Sequence, residues 1–462
     1  MENIKINLIT LLLLITTTIF SQTFTELTNT SLYGASSGSV DWGDYDNDGH
    51  LDILMSGLVA ADMGTTVIYK NNGDNTFTKQ SNIPLQGVYS SYAKWLDYDN
   101  DGYLDVLISG RVSTIKNRAN DQTILYRNNG NNTFLQQTNI SLIFPKTIAR
   151  FDCGDYNNDG YLDIIFSTPT NAKIFKNNGN NSFTEQTNVI LPACQSVSWG
   201  DFNKDEKLDI LLSSKVDTKI YWNNGNNTFS ENTGDPFPDS QYAVCDDFDN
   251  DGNLDFLLIR SGNSKLFRNN GNSTFTDITD TAFPDGINGT AAWGDYDNDG
   301  DLDLVTAPNG KTHIYRNDGE NKFSELTDSS LAGLYDCSVS WGDYDKDGDP
   351  DILLMGCEVY YYIPKMKIFT NSTISKPQAI NELTDDLNFN IFPNIVSNNV
   401  LITTNYSVES QINIYSINGC LVKTEKLMTN SIEIDMSKFS EGVYLLELIN
   451  NKLSVTKKII KI

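Results

Sequence analysis

The chain has 462 residues and a formal net charge of −27, from 60 acidic and 33 basic residues. So acidic a balance argues against nucleic acid or an anionic membrane surface as partner, and two histidines leave little from which to build a Ser-His-Asp or His-metal catalytic centre. The length exceeds one ordinary core and points to two domains or a repeat array.

Residues 1–21 carry Lys5, an apolar stretch at 8–20 broken only by threonines, and Ser21. This pattern predicts a secretory signal peptide rather than a membrane anchor, because the stretch is short of the ~18 residues needed to span. No later segment is apolar enough to cross a membrane.

From residue 44 onward a nine-residue acidic loop recurs seven times. Carboxylates or amides stand at positions 1, 3, 5 and 9, with glycine at position 6 and an apolar residue at position 8. Alternate side chains of a tight loop converge on one point, the position-7 carbonyl joins them, and glycine supplies the sharp turn, which together suit a hard cation. The candidate ligand positions 1, 3, 5, 7 and 9 are Asp44, Asp46, Asp48, His50 and Asp52 in the first loop and Asp97, Asp99, Asp101, Tyr103 and Asp105 in the second. The third has Asp155, Asn157, Asp159, Tyr161 and Asp163; the fourth has Asp201, Asn203, Asp205, Lys207 and Asp209. The fifth has Asp247, Asp249, Asp251, Asn253 and Asp255, and the sixth Asp295, Asp297, Asp299, Asp301 and Asp303. The seventh has Asp343, Asp345, Asp347, Asp349 and Asp351. A single copy reads equally as a solvated acidic turn; seven do not. An EF-hand is excluded because position 12 holds Met55, Ile108, Phe166, Leu212, Leu258, Thr306 or Leu354 instead of a closing Glu. The fourth loop departs furthest, with Glu206 in the glycine position, so Asp209 is expected to matter least of the position-9 carboxylates.

Successive loops begin 53, 58, 46, 46, 48 and 48 residues apart, the size of a four-stranded propeller blade. An apolar strand lies on each side of the loop, a third strand runs into an Asn-Asn-Gly-type turn, and a fourth opens at Phe77, Phe134, Phe183, Phe229, Phe275 or Phe323. The seventh unit lacks this last strand, whereas Thr23, Phe24 and Thr25 stand as a spare one at the start of the ring. Lending it to the last unit closes a seven-bladed β-propeller and removes two open sheet edges. Trp42, Trp95, Trp199, Trp293 and Trp341 stand two residues before a loop, as do Cys153 and Cys245. They are expected to pack between blades, with cysteine acting as a small hydrophobe. A disulfide remains open only for Cys337 with Cys357.

These residues resemble the FG-GAP/VCBS repeat family, whose members include the integrin α-chain propellers, over about residues 23–371. The resemblance implies Ca²⁺ in the loop between the first two strands of a blade, up to seven ions here. Residues 372–388 are polar and read as a linker. Over 389–462 seven lysines face six acidic residues, so the acidic excess lies upstream. Alternating segments at 400–402, 411–415, 431–434 and 443–448, with an Asn418-Gly419 turn, predict a small β-sandwich. Phe392-Pro393-Asn394, the run at 414–419, Gly442-Val443-Tyr444-Leu445 and the closing lysine-isoleucine segment are similar to the C-terminal sorting domain of type IX secretion in Bacteroidetes. The resemblance implies export by that machinery to the cell surface or the medium.

The domain plan is therefore a signal peptide (1–21), a propeller (22–371), a linker (372–388) and a sorting sandwich (389–462). A binding or adhesion module for a glycan or protein is the expected function. A carbohydrate-active enzyme is the alternative, since two suitably spaced carboxylates suffice for glycoside hydrolysis; no acid, base or nucleophile stands out beyond the repeat. The links between second and third strands are long in three units that neighbour one another in a closed ring, at 57–65, 110–122 and 356–366. With Tyr89, Tyr92, Arg111, Lys116, Arg118 and Tyr360, Tyr361 and Tyr362, they form the expected partner surface.

Overall fold

The computed structural model describes residues 23–372 and 389–461. Excepted are 29, 61–62, 113–119, 142–143, 235–236, 261–263, 284–288, 309, 327–330, 359–362, 393–394, 397–398, 405–409, 417–420, 428, 430, 440–441 and 451–452. The expected signal peptide, nearly all of the linker, Lys116, Arg118, Tyr360, Tyr361, Tyr362 and the Asn418-Gly419 turn lie outside the described residues. The chain divides into two compact units, Met1–Ser375 and Lys376–Ile462.

Among the described residues the first unit contains seven four-stranded antiparallel sheets. Blade 1 is typical: Ser36–Gly43, Asp52–Ala60, Met63–Asn71 and Phe77–Lys79, each strand paired with the next. Blade 7 takes three strands from the end of the unit and its outermost from the beginning, Thr23–Glu26 pairing with Pro364–Ser372. Phe24 is 3% exposed there and lies among Tyr296, Val339 and Phe369. The borrowed strand thus removes an apolar ring from water as well as pairing an open edge.

One asparagine per blade seals the ring. At the end of the third strand Asn71, Asn128, Asn177, Asn223, Asn269, Asn317 and Asn371 are buried. Each side-chain amide donates to the position-2 carbonyl of the preceding blade: Tyr344, Tyr45, Tyr98, Tyr156, Phe202, Phe248 and Tyr296 respectively. The bond from Asn71 to Tyr344 joins first blade to last. In six blades the asparagine oxygen also accepts the N–H of the turn glycine two residues on. The same Asn-Asn-Gly signal therefore makes the hairpin and locks the neighbour.

Cores form between blades. Trp42, Trp95, Trp199, Trp293 and Trp341 each stack on the position-2 aromatic of the preceding blade, with interplanar angles of 2–18°. Cys153 and Cys245 occupy the same position as free thiols, and Cys337 and Cys357 are not joined to each other. The disulfide left open for the last pair is absent; Cys337 Sγ instead donates to the Ala307 carbonyl at 3.1 Å.

The second unit is a sandwich of a three-stranded and a five-stranded sheet. Its core includes Val400, Ile402, Ile412, Ile414, Leu446 and Leu448, alternating along strands as expected of half-buried β-structure. Strand Ile395–Val396 pairs in parallel with Leu453–Lys461, the one parallel pairing among the described strands.

Candidate functional site

Each acidic loop joins the innermost strand of a blade to its neighbour, and its backbone is fixed by its own carboxylates. In loops 1–6 position 1 accepts the N–H groups of positions 5 and 6, as in Asp44 with Asp48 (3.1 Å) and Gly49 (2.7 Å), and in loop 7 Asp343 accepts that of Gly348. Position 5 accepts the position-7 N–H, as in Asp48 with His50 at 2.9 Å. Position 6 adopts φ of +80° to +99° where it is glycine, a region that costs other residues. Glu206 is held at +65° in the fourth loop.

Position 4, unremarked in the sequence, also has positive φ in all seven loops: Asn47, Asn100, Asn158, Lys204, Asn250, Asn298 and Lys346. Five are asparagine, the residue besides glycine that best tolerates this conformation. Their amides reach the position-6 carbonyl of the next blade, as Asn47 to Gly102 (2.8 Å), Asn158 to Glu206 (2.9 Å) and Asn298 to Gly348 (2.9 Å). Position-7 side chains lie over the turn glycine of the same blade, so a Cβ on Gly73 would meet the His50 ring at 2.7 Å and one on Gly130 the Tyr103 ring at 2.6 Å.

In five loops the carboxylates at positions 1, 3 and 5 each place an oxygen within 4.8 Å of the others. They are Asp44, Asp46 and Asp48; Asp97, Asp99 and Asp101; Asp247, Asp249 and Asp251; Asp295, Asp297 and Asp299; and Asp343, Asp345 and Asp347. These groups can hold a metal ion. The fit is supported by buried carboxylate oxygens with no hydrogen-bond partner: Oδ1 of Asp46, Asp99, Asp297 and Asp343. A buried oxygen so placed favours a cation. Loops 3 and 4 form no such group among the described residues. In loop 3 the Asn157 amide instead donates to Asp163 at 2.8 Å, and in loop 4 Asn203 accepts from the Asp205 N–H while Lys207 pairs with Asp205 at 2.9 Å.

The position-9 carboxylates belong to none of the five groups. All seven are at most 1% exposed. Each accepts the N–H of the latch asparagine at 2.7–2.8 Å. Six also accept the position-2 N–H, as Asp52 does from Tyr45 at 3.2 Å. Burial outweighs these bonds and pushes Asp52, Asp163 and Asp209 up to about 7 and Asp105, Asp255, Asp303 and Asp351 up to about 8. Asp209 makes the same two bonds as its counterparts. The departures of loop 4 lie at positions 3 and 6, Asn203 and Glu206, rather than at position 9.

A basic side chain from the third strand bonds the outer oxygens of four loops. Lys70 bonds Asp46 and Asp48, Arg127 bonds Asp99 and Asp101, Arg268 bonds Asp249 and Asp251, and Lys176 bonds Asp159. In blade 7 the equivalent residue is Thr370, which bonds the Tyr344 hydroxyl instead.

Among the described residues the ends of the expected long links are hairpin ladder, with Gly57 paired to Thr65, Ala60 to Met63, Val112 to Asn120 and Cys357 to Pro364, while residues 61–62, 113–119 and 359–362 lie outside the described residues. The innermost strands of the same three blades are longer as well: Ser36–Gly43, Tyr89–Leu96 and Tyr335–Gly342, each with a register shift. Blades 7, 1 and 2 consequently rise above the others at the end opposite the acidic loops. Arg111 on this rim is paired with Asp121 at 2.9 Å, and Tyr92 turns to the central channel.

A ring of four-stranded blades, each with an acidic loop after its innermost strand, defines a repeat β-propeller. The FG-GAP-like repeat family matches residues 58–108, 112–166, 155–212, 247–306 and 295–354, and the chain belongs to that family. The secretion system C-terminal sorting domain matches residues 390–462, which marks the protein for export to the cell surface or secretion. No curated protein matches the chain in sequence. Among solved structures it is similar to an Agrocybe aegerita lectin that recognises non-reducing terminal N-acetylglucosamine, at 19% identity and TM-score 0.43, covering 63% of this chain and 79% of that one. The V. cholerae biofilm matrix protein Bap1 is similar at 13% identity and TM-score 0.34, covering 81% and 66%. PorZ, a surface component of the type IX secretion system of Porphyromonas gingivalis, is similar at 12% identity and TM-score 0.26, covering 89% and 74%. No helix among the described residues is long and apolar enough to cross a membrane.

Proposed function

We propose that the protein is a calcium-stabilised binding or adhesion module for a glycan or protein, exported by the type IX machinery. Calcium fits the five complete carboxylate groups because it takes hard oxygen ligands in flexible geometry. It would be held at positions 1, 3 and 5, and there it supplies the positive charge that crowded carboxylates lack. Affinity per site on the order of 10⁻⁴–10⁻³ M is expected for an extracellular module.

The observation that carries the binding reading is the raised rim of blades 7, 1 and 2. Three adjacent blades are lengthened at one end while the other four keep short hairpins. Closure of the ring does not need this, because those four blades close without it. Incubating the calcium-loaded protein with a panel of bacterial and algal polysaccharides, scoring retention and cleavage separately, tests the proposal. Retention without cleavage is the expected result. Cleavage would make the protein an enzyme, and the absence of both retention and cleavage across the panel would overturn the binding reading.

A further inference from the structure

The innermost strands of the blades surround a cavity of about 610 Å³, within the range of small-molecule sites. Its wall is rich in hydroxyls, Ser90, Ser196, Ser198, Thr290 and Ser340 among them. Arg150, which immediately precedes the innermost strand of blade 3, extends its guanidinium into this space. The guanidinium lies 4.6 Å from the centre of the Tyr242 ring of blade 5 and 5.7 Å from that of Tyr92 of blade 2. Two aromatic faces from different blades thus hold one cation.

The other charged groups of the channel are already engaged. Lys94 pairs with Asp152 at 3.1 Å, Asp41 accepts the Trp95 N–H at 3.0 Å, and Asp336 accepts the Ser37 hydroxyl. No carboxylate among the described residues pairs with the Arg150 guanidinium, which has donors and no acceptor capacity of its own.

We infer that the channel is a binding site for a sugar acid, whose carboxylate Arg150 receives while the hydroxyl wall meets the polyol ring. A planar carboxylate matches the guanidinium fork with two parallel hydrogen bonds. A neutral sugar leaves the cation without a counter-charge. A doubly charged sulfate or phosphate meets the field of Asp41 and Asp152. The volume accommodates one or two sugar rings. This inference rests on the reading of the propeller as a binding module and gives it a ligand class.

The test is calorimetric titration of the full, calcium-loaded chain with D-glucuronate, D-glucose and inorganic sulfate. Saturable glucuronate binding with Kd on the order of 1 mM is expected, with glucose and sulfate at least about tenfold weaker. Arg150→Gln should reduce glucuronate binding about tenfold or more, and Lys322→Gln, in an exposed outer turn of blade 6, should leave it unchanged. Equal binding of glucose, tighter binding of sulfate, no glucuronate binding, or undiminished binding by folded Arg150→Gln overturns the inference. If that variant does not fold, a crystal structure of the unaltered protein with glucuronate decides: the carboxylate must lie on Arg150 and nowhere else. Polysaccharide retention that survives Arg150→Gln would sink the channel site alone, whereas loss of all retention in the unaltered protein would sink the binding reading itself.

Discussion

At the scale of single residues, charge placement governs the acidic loops. Two carboxylates about 4 Å apart repel by roughly 4 kcal/mol at an effective dielectric near 20, and Arg127 relieves that repulsion at Asp99 and Asp101. Arg127→Gln should therefore lower the melting temperature in chelator and enlarge the rise on adding calcium, because the metal no longer competes with a tethered cation. A rise no larger than that of the unaltered protein would refute this. A second case is Asp41, whose burial pushes its carboxyl from 3.8 up to about 6. Because the folded value is raised, this group's contribution to stability is full below pH ~4 and is lost as pH rises through about 6. Asp41→Asn carries no charge to bury, so its melting temperature relative to the unaltered protein should rise between pH 4 and 7, by the equivalent of at most a few kcal/mol after solvent screening. A pH-independent difference would show that the carboxyl titrates normally.

Elements are joined by buried polar contacts repeated around the ring. Asn128 donates to the carbonyls of Tyr45 (2.8 Å) and Leu104 (3.1 Å) and accepts from Gly130 (3.0 Å). Removing the amide leaves buried groups unsatisfied at about 1–3 kcal/mol each. Asn128→Ala should thus destabilise by roughly 2–4 kcal/mol, while Asn129→Ala, whose amide makes an exposed bond to Thr133, should stay within about 0.5 kcal/mol. Chemical denaturation of both variants checks the contrast; equal losses would mean that the latch adds nothing beyond the turn. Closure has its own probe. Phe24 anchors the borrowed strand, and Phe24→Ala should cost about 3–5 kcal/mol as a cavity in a packed core. A loss below about 1 kcal/mol would show that the strand is held by its edge pairing alone.

For the whole molecule, calcium and export are separable. Chelation should lower the melting temperature of the propeller because the five carboxylate groups lose their common counter-charge. An unchanged melting curve would end the calcium proposal. Deleting residues 389–462 should leave the propeller folded, since that unit has its own core, while preventing appearance outside the cell. Normal release of the truncated protein would show that export does not depend on the sorting domain.

The repeat made most of this legible in advance. Loop spacing gave the blade period, the Asn-Asn-Gly turns gave the hairpins, and one strand missing at the end with one spare at the start gave the closure, because each depends on local backbone preference and on counting. The five complete carboxylate groups were visible as aspartates at positions 1, 3 and 5. What lay beyond the sequence depended on which groups meet across blades. The left-handed position 4 was signalled by its five asparagines, but its carbonyl partner belongs to the next loop. Position 9 looks the same in sequence as positions 1, 3 and 5, but its burial and its bond from the latch asparagine N–H depend on the neighbouring strand. The ends of the segments at 57–65 and 110–122 read as loops, since glycines and polar residues hide a ladder whose register is set by the partner strand. Arg150 carries no motif at all: only the curvature of the ring brings the tyrosines of blades 2 and 5 onto its guanidinium.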